Sequence, residues 1–226
     1  MLYKETVSNE MWELLQKLMK DEKLRDFNLV GGTALSLQIG HRLSIDIDLF
    51  TIKDFDVDAM LNYLKNLYPV GVRDISKNTL MINIDKIKVD ILSHKYDWQR
   101  PIQTIENVRL SSLQDIGAMK LHAIFQSGTR LKDFVDMYFL LEYHPLKDFL
   151  EVYEKKYKGN AALATYSLTF FDHIIKEFGV KMLEGKEYRW SKISDRLKEA
   201  SLNPAKEFSR SKIQPPKRGK GRGFGR

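Results

Sequence analysis

Apolar residues near the start of the chain recur at Met11, Leu14, Leu15, Leu18 and Met19, with Trp12 beside them. Steps of three and four residues predict an amphipathic helix. Phe27–Val30 is a short apolar run and predicts a strand, Gly31-Gly32 a tight turn, and Thr33–Gln38 a short helix stopped by Gly40. From Ser44 to Phe50 polar and apolar residues strictly alternate, the period of a half-buried strand. Asp58–Leu67 reads as a second amphipathic helix, ended by Pro69. Thr79–Ile84 and Ile87–Leu92 alternate on either side of Asp85-Lys86 and predict an antiparallel hairpin. Ser111-Ser112, followed three residues on by Gln114 and Asp115, form a capping box for a helix over Leu113–Phe125. Gly128 breaks that helix, and another runs through Phe134, Val135, Met137, Tyr138, Leu140 and Leu141. After Pro145 helical patterns cover about 146–156, 160–178 and 190–200, with no strand pattern among them. The expected sheet lies within the first ~100 residues. The fold class is therefore α+β, a small sheet with flanking helices followed by a helical C-terminal domain. The expected boundaries are 1–110 for the sheet domain, 111–205 for the helical domain and 206–226 for a tail.

A chain of 226 residues, 43% hydrophobic and 30% charged, is ordinary for a globular protein. No stretch of 18 apolar residues predicts a membrane span, and Met1-Leu2-Tyr3-Lys4-Glu5 lacks the apolar core of a signal peptide. With no cysteine, disulfides, thiolate metal sites and thiol nucleophiles are excluded. The expectation is a cytoplasmic protein without a membrane partner. The net charge of +7 resides in the tail: Arg210, Lys212, Lys217, Arg218, Lys220, Arg222 and Arg226 face no acid, and the rest holds 30 Lys and Arg against 30 Asp and Glu. The pI therefore describes the tail and says little about the body. That tail, rich in Arg, Gly and Pro, cannot bury a core and is expected to be disordered.

Candidate chemistry centres on Asp46-Ile47-Asp48. On a strand Ile45, Ile47 and Leu49 turn inward, and the two aspartates point out together, roughly 7 Å apart at Cα given a rise of about 3.3 Å per residue. Two like charges held so close repel unless a cation sits between them. Asp90 occupies the same kind of position, opposite Ile87, Val89 and Ile91. If its strand lies beside that of Asp46, three carboxylates converge, enough for two oxygen-liganded ions of the Mg²⁺ type. Taken alone, Asp-x-Asp also fits a solvated strand edge, and Asp90 a satisfied buried acid. The preceding strand–Gly31-Gly32-Thr33–helix changes the weighting. Such a turn lets backbone N–H groups approach an anion, and Asp46 follows Thr33 by 13 residues.

The stretch GGTALSLQIGHRLSIDIDLF, Gly31–Phe50, resembles the signature of the AbiEii/AbiGii toxin family, nucleotidyltransferases of the DNA-polymerase-β-like superfamily found in type IV toxin–antitoxin pairs. Lys120-Leu121-His122-Ala123 and Arg130-Leu131-Lys132-Asp133-Phe134-Val135-Asp136 resemble the family's later motifs. The resemblance implies a mixed nucleotidyltransferase sheet. It implies metal binding by Asp46, Asp48 and Asp90, with Asp90 as general base. Nucleotide contacts are implied for Gly31, Gly32, Thr33, Arg42, Ser44, Lys120, Lys132, Asp133 and Asp136. The cofactor would be two Mg²⁺, or Mn²⁺ in their place. The partners would be a nucleoside triphosphate, an RNA acceptor (tRNA within the family) and a cognate antitoxin.

The residues leave several of these roles open. Lys120, on a mostly apolar helix, either extends to water or meets an anion. Asp133 and Asp136 also suit the N-terminal end of a helix. Arg42 can pair with phosphate, or with Asp46 or Asp48 when no ligand is bound. His41 and His122 carry no clear signal. The expected reaction is nucleotidyl transfer from Mg–triphosphate to a hydroxyl. The alternatives are phosphoryl transfer from the same pocket, and a non-catalytic module binding nucleotide and RNA, to which the Arg/Gly tail would contribute by tracking a phosphate backbone.

Overall fold

The computed structural model describes residues 1–175 and 179–210. Residues 211–226 of the expected disordered tail lie outside them. The chain opens on α1 (Asn9–Lys20), capped by Ser8, whose hydroxyl accepts the amide of Met11. Its buried residues are the five read from the spacing: Met11, Leu14, Leu15, Leu18 and Met19. Then follow β1 (Asn28–Leu29), α2 (Gly31–Ile39), β2 (Asp46–Thr51) and α3 (Val57–Leu67). Asp56 caps α3 through the amide of Ala59. The two glycines expected in a turn are the first residues of α2, and Gly40 closes that helix in the left-handed region (φ 61°).

β3 (Val70–Ser76), β4 (Thr79–Ile84) and β5 (Ile87–Ser93) complete one side of the sheet. The β4–β5 turn holds Asp85 and Lys86 at φ 47° and 70°, the positive values that a two-residue hairpin demands. The hairpin expected from alternation is present. β3 was not expected. It is an exposed edge strand from Gly71 onward, so no buried face imposes a period of two on its residues. A second unexpected hairpin, β6 (Gln103–Ile105) and β7 (Val108–Leu110), turns at Glu106 and Asn107 and carries the sheet to Leu110. Three residues per strand is too short for alternation to register.

The seven strands run in the order β3-β4-β5-β2-β1-β7-β6. β2 pairs parallel with β5, β1 parallel with β7, and the remaining pairs are antiparallel. The sheet is therefore mixed.

Helices α4 (Leu113–Gln126), α5 (Leu131–Leu140), α6 (Leu146–Tyr157), α7 (Ala161–Ser167) and α8 (Trp190–Leu202) follow. Ser112 caps α4 and exchanges hydrogen bonds with Asp115. The helix expected over 160–178 stops at Ser167. Beyond it, backbone groups pair with earlier parts of the chain instead of along a helix: Ile175 N donates to Thr129 O at 2.9 Å, and Lys181 O accepts from Leu43 N at 2.8 Å. One hydrophobic core joins sheet and helices, running from Leu29, Ile47 and Val89 to Ile116, Phe134, Phe149 and Leu197. Among the described residues no helix is long and apolar enough to cross a membrane.

Candidate active site

Along β2, Ile47, Leu49 and Thr51 are buried, whereas Asp46, Asp48 and Phe50 lie half-buried on the opposite face. Partners in a parallel ladder share a face. The register sets Asp48 directly against Asp90 of β5, with Cα atoms about 4.8 Å apart. Asp46, Asp48 and Asp90 thus stand on one side of the sheet. They do not close into a ready-made ligand cage among the described residues. Asp90 is turned onto Arg73 from the β3 edge. Asp46 has Lys132 at 3.8 Å. Its Oδ1 is enclosed and has no hydrogen-bond partner among the described residues.

The start of α2 abuts this group. Val30 N donates to Asp48 O at 3.0 Å, tying the turn to the acidic strand. Gly31 has φ +67°, and a Cβ there would lie 2.3 Å from Asp48 Oδ2. A Cβ on Gly32 would lie 2.2 Å from Arg42 Nη2. Both glycines are required because a carboxylate and a guanidinium occupy the space of a side chain. Gly31→Ala should destabilise by about 1–3 kcal/mol for its left-handed conformation. Because it also displaces Asp48, its loss of catalytic rate should exceed the loss expected from stability. Thermal melts and initial rates on the same preparation check this.

Several residues expected at the nucleotide are placed otherwise. Thr33 Oγ1 lies 2.8 Å from Ser44 Oγ and in contact with the Asp46 carbonyl, so both buried hydroxyls brace the entry to β2. With the threonine hydroxyl engaged, what the start of α2 could offer an anion is its backbone N–H groups. Arg42 pairs with neither Asp46 nor Asp48. It forks onto Asp136, Nε to Oδ1 at 2.6 Å and Nη2 to Oδ2 at 3.0 Å.

Lys120 lies 2.7 Å from both Asp133 Oδ1 and Asp136 Oδ2. His41 Nε2 meets Asp136 Oδ1 at 2.8 Å, and Arg130 Nε meets Asp133 Oδ2 at 2.7 Å. An ammonium withdrawn from water takes the carboxylates within reach. Lys120, Asp133 and Asp136 therefore form a buried ionic block behind the site. Lys132, 44% exposed, is the cation of this helix that faces Asp46.

Electrostatics distinguish the acids. Burial alone would raise Asp136, but Arg42 and Lys120 hold it well below the usual carboxylate range. Burial would lower Lys120, and Asp133 and Asp136 outweigh it, so the ammonium is held above its ordinary value. His41 is lowered, chiefly by burial, and is a neutral ring. Asp48 differs from all of these. Loss of solvent, then the Asp90 and Asp46 charges, push it up to about 6.

Comparison with known proteins settles the kinship. Residues 13–219 match the family described as nucleotidyl transferase AbiEii toxin, type IV TA system. The chain belongs to the AbiEii nucleotidyltransferase family. Over 199 residues it is 31% identical to protein aq_aa25 of Aquifex aeolicus (strain VF5), spanning 85% of this chain and 94% of the relative. Two Helicobacter pylori crystal structures share the fold. One, titled as a nucleotidyltransferase, has a TM-score of 0.55 at 18% identity, over 85% of this chain and 90% of the other. The second, JHP933, has a TM-score of 0.55 at 17% identity, over 87% and 92%.

In this AbiEii-family site the donor set fits a hard divalent cation. Three carboxylates share a face, one of their oxygens has no partner among the described residues, and one acid is raised by burial first and then by its neighbours' charge. Asp46, Asp48 and Asp90 are the residues that would hold it. One member of the site escaped the sequence reading. Arg73 sits on the unexpected strand β3, at the bulge between Val72 and Asp74. The Val70-x-Val72 spacing was the available signal for that strand.

Proposed function

We propose that this AbiEii-family nucleotidyltransferase acts on RNA, moving a nucleoside monophosphate from a triphosphate to an acceptor hydroxyl with Asp46, Asp48 and Asp90 as ligands for Mg²⁺. The observation that carries the reading is the Asp48–Asp90 register pair lying against the Gly31–Gly32 helix start. When bound, Mg²⁺ would neutralise the carboxylates and polarise the phosphate oxygens. The chain does the rest. The free N–H groups at the start of α2 bind phosphate oxygens, and Lys132, beside Asp46, faces the same charge. The acceptor oxygen bonds to the α-phosphorus, the bond to the β-phosphate oxygen breaks, pyrophosphate departs, and Asp90 receives the hydroxyl proton.

The buried block of Arg42, Lys120, Asp133 and Asp136 holds α5 so that Lys132 faces Asp46. In this reading the acceptor is tRNA, and the reaction is a toxic activity that a cognate antitoxin restrains. Attack at the γ-phosphorus instead would make the enzyme a phosphotransferase. Triphosphates labelled at the α or the γ position, incubated with total RNA and Mg²⁺, separate the two. Label from the α position is expected in RNA. Transfer of γ label alone would overturn nucleotidyl transfer for this site.

A further inference from the structure

The alternation that puts Asp48 on the half-open face of β2 puts Phe50 there too, roughly 6.6 Å further along. Four more rings gather beside it. Phe50 lies 5.5 Å from His94, which follows the end of β5. His94 lies 4.8 Å from Tyr96 and 5.8 Å from Tyr157 at the end of α6. Its Nε2 is 3.1 Å from the Tyr157 hydroxyl. Tyr157 stacks on His122 of α4 at 3.9 Å, with the planes 5° apart.

Tyr157 packs against the core, but the group as a whole is more open than the core. Aromatic residues of the core such as Phe134 and Phe149 are fully buried, whereas Tyr96 is 39% exposed and the other four are half-buried. His122 Nδ1 is enclosed and has no hydrogen-bond partner among the described residues. His94 is pushed down to about 4, by burial first and then by Lys156 and His122. Its ring is therefore neutral at ordinary pH, which suits stacking and a single hydrogen bond better than pairing with a phosphate.

We propose that Phe50, His94, Tyr96, His122 and Tyr157 form a shelf on which a nucleobase stacks while its phosphate lies at Asp48. The inference rests on the nucleotidyl-transfer reading. In a nucleotide a ribose separates the α-phosphate from the base, and here two residues of strand separate the acid from the first ring. Ring stacking accepts every base because each has a π face. The base belongs either to the incoming triphosphate or to the 3′ end of the acceptor, and the test must tell these apart.

Fluorescent analogues that lose emission on stacking provide it. 2-Aminopurine and pyrrolocytosine riboside triphosphates are titrated in Mg²⁺ against the full chain, and the same bases are placed at the 3′ end of a short RNA. Quenching of the triphosphates assigns the shelf to the incoming base, and quenching of the RNA assigns it to the acceptor. Tyr96→Ala, at an exposed position, and Tyr157→Ala are each expected to weaken the quenched complex about tenfold. Tyr157→Phe keeps the ring and should keep the quenching. Inorganic tripolyphosphate, which has no base, should bind wild type and variants alike.

Tripolyphosphate binding without quenching by any analogue, or quenching unchanged in folded Tyr96→Ala, overturns the shelf and leaves the nucleotide reading standing. A wild-type chain that binds neither the analogues nor tripolyphosphate overturns both.

Discussion

Asp48→Asn is expected to abolish nucleotide transfer and, in the same protein, to raise the melting temperature at pH 7 without Mg²⁺. The two effects have one origin. Asp48 is drawn out of solvent and faced by Asp90 and Asp46, and its carboxyl is pushed up to about 6 from an ordinary 3.8. A group whose native pKa exceeds its unfolded one stabilises the fold below the unfolded value, and that stabilisation is lost as pH rises through the native value. The wild-type protein should therefore lose stability between about pH 4 and pH 6, and Asp48→Asn should lose less. At pH 7 the difference is on the order of 1–3 kcal/mol, reduced for the half-open position, or roughly 2–12 °C for a chain of this size.

Mg²⁺ should narrow the gap by stabilising the wild type alone. The rate should fall roughly a thousandfold, since a site cation supplies several kcal/mol to a transition state at phosphorus. Melts at pH 4, 6 and 7 with and without Mg²⁺, together with α-label transfer, test the claim. A wild-type melting temperature that does not change over this range, or transfer retained in the variant, would remove Asp48 from the role.

The second large effect falls on stability. Asp136 has no exposed side-chain surface and accepts Arg42, Lys120 and His41 at once. Asp136→Ala leaves two cations buried without their shared partner, which costs about 3–5 kcal/mol. The melting temperature should drop by roughly 6–20 °C. The sign with pH is opposite to that of Asp48. Asp136 is held well below its ordinary value, so its contribution is complete above the normal carboxylate range and fades as pH falls toward the native value. If Asp136→Ala melted within a degree of wild type, the block behind the site would not be a structural support. Asp136→Asn keeps the shape of the side chain and some of the hydrogen bonds, and should fall between the two.

The reach of the sequence is visible residue by residue. The alternation around Asp46-Ile47-Asp48 can be read because one face of β2 is buried and the other is not. Ile87–Leu92 is legible for the same reason. β3 is exposed from Gly71 onward, so beyond Val70-x-Val72 its residues report no periodicity, and Arg73 was missed with it. Lys120 and Arg42 could be read as phosphate ligands because charge and spacing say nothing about which carboxylate is nearest. The fold places Asp136 there, contributed by a helix 94 residues beyond Arg42.

The amino-acid sequence by itself determined the strand that carries two acids, the glycines before it, the capped helices that follow and the concentration of positive charge beyond Phe208. All of these are local: they depend on a period of two or 3.6, on the absence of a Cβ, or on composition. The tertiary structure alone decided that Asp90 faces Asp48, that Asp136 takes Arg42 and Lys120, and that rings from three other segments meet beside Phe50. Each is a contact between distant parts of the chain. Strand register and helix packing create such contacts, and neither is written in the neighbourhood of any one residue.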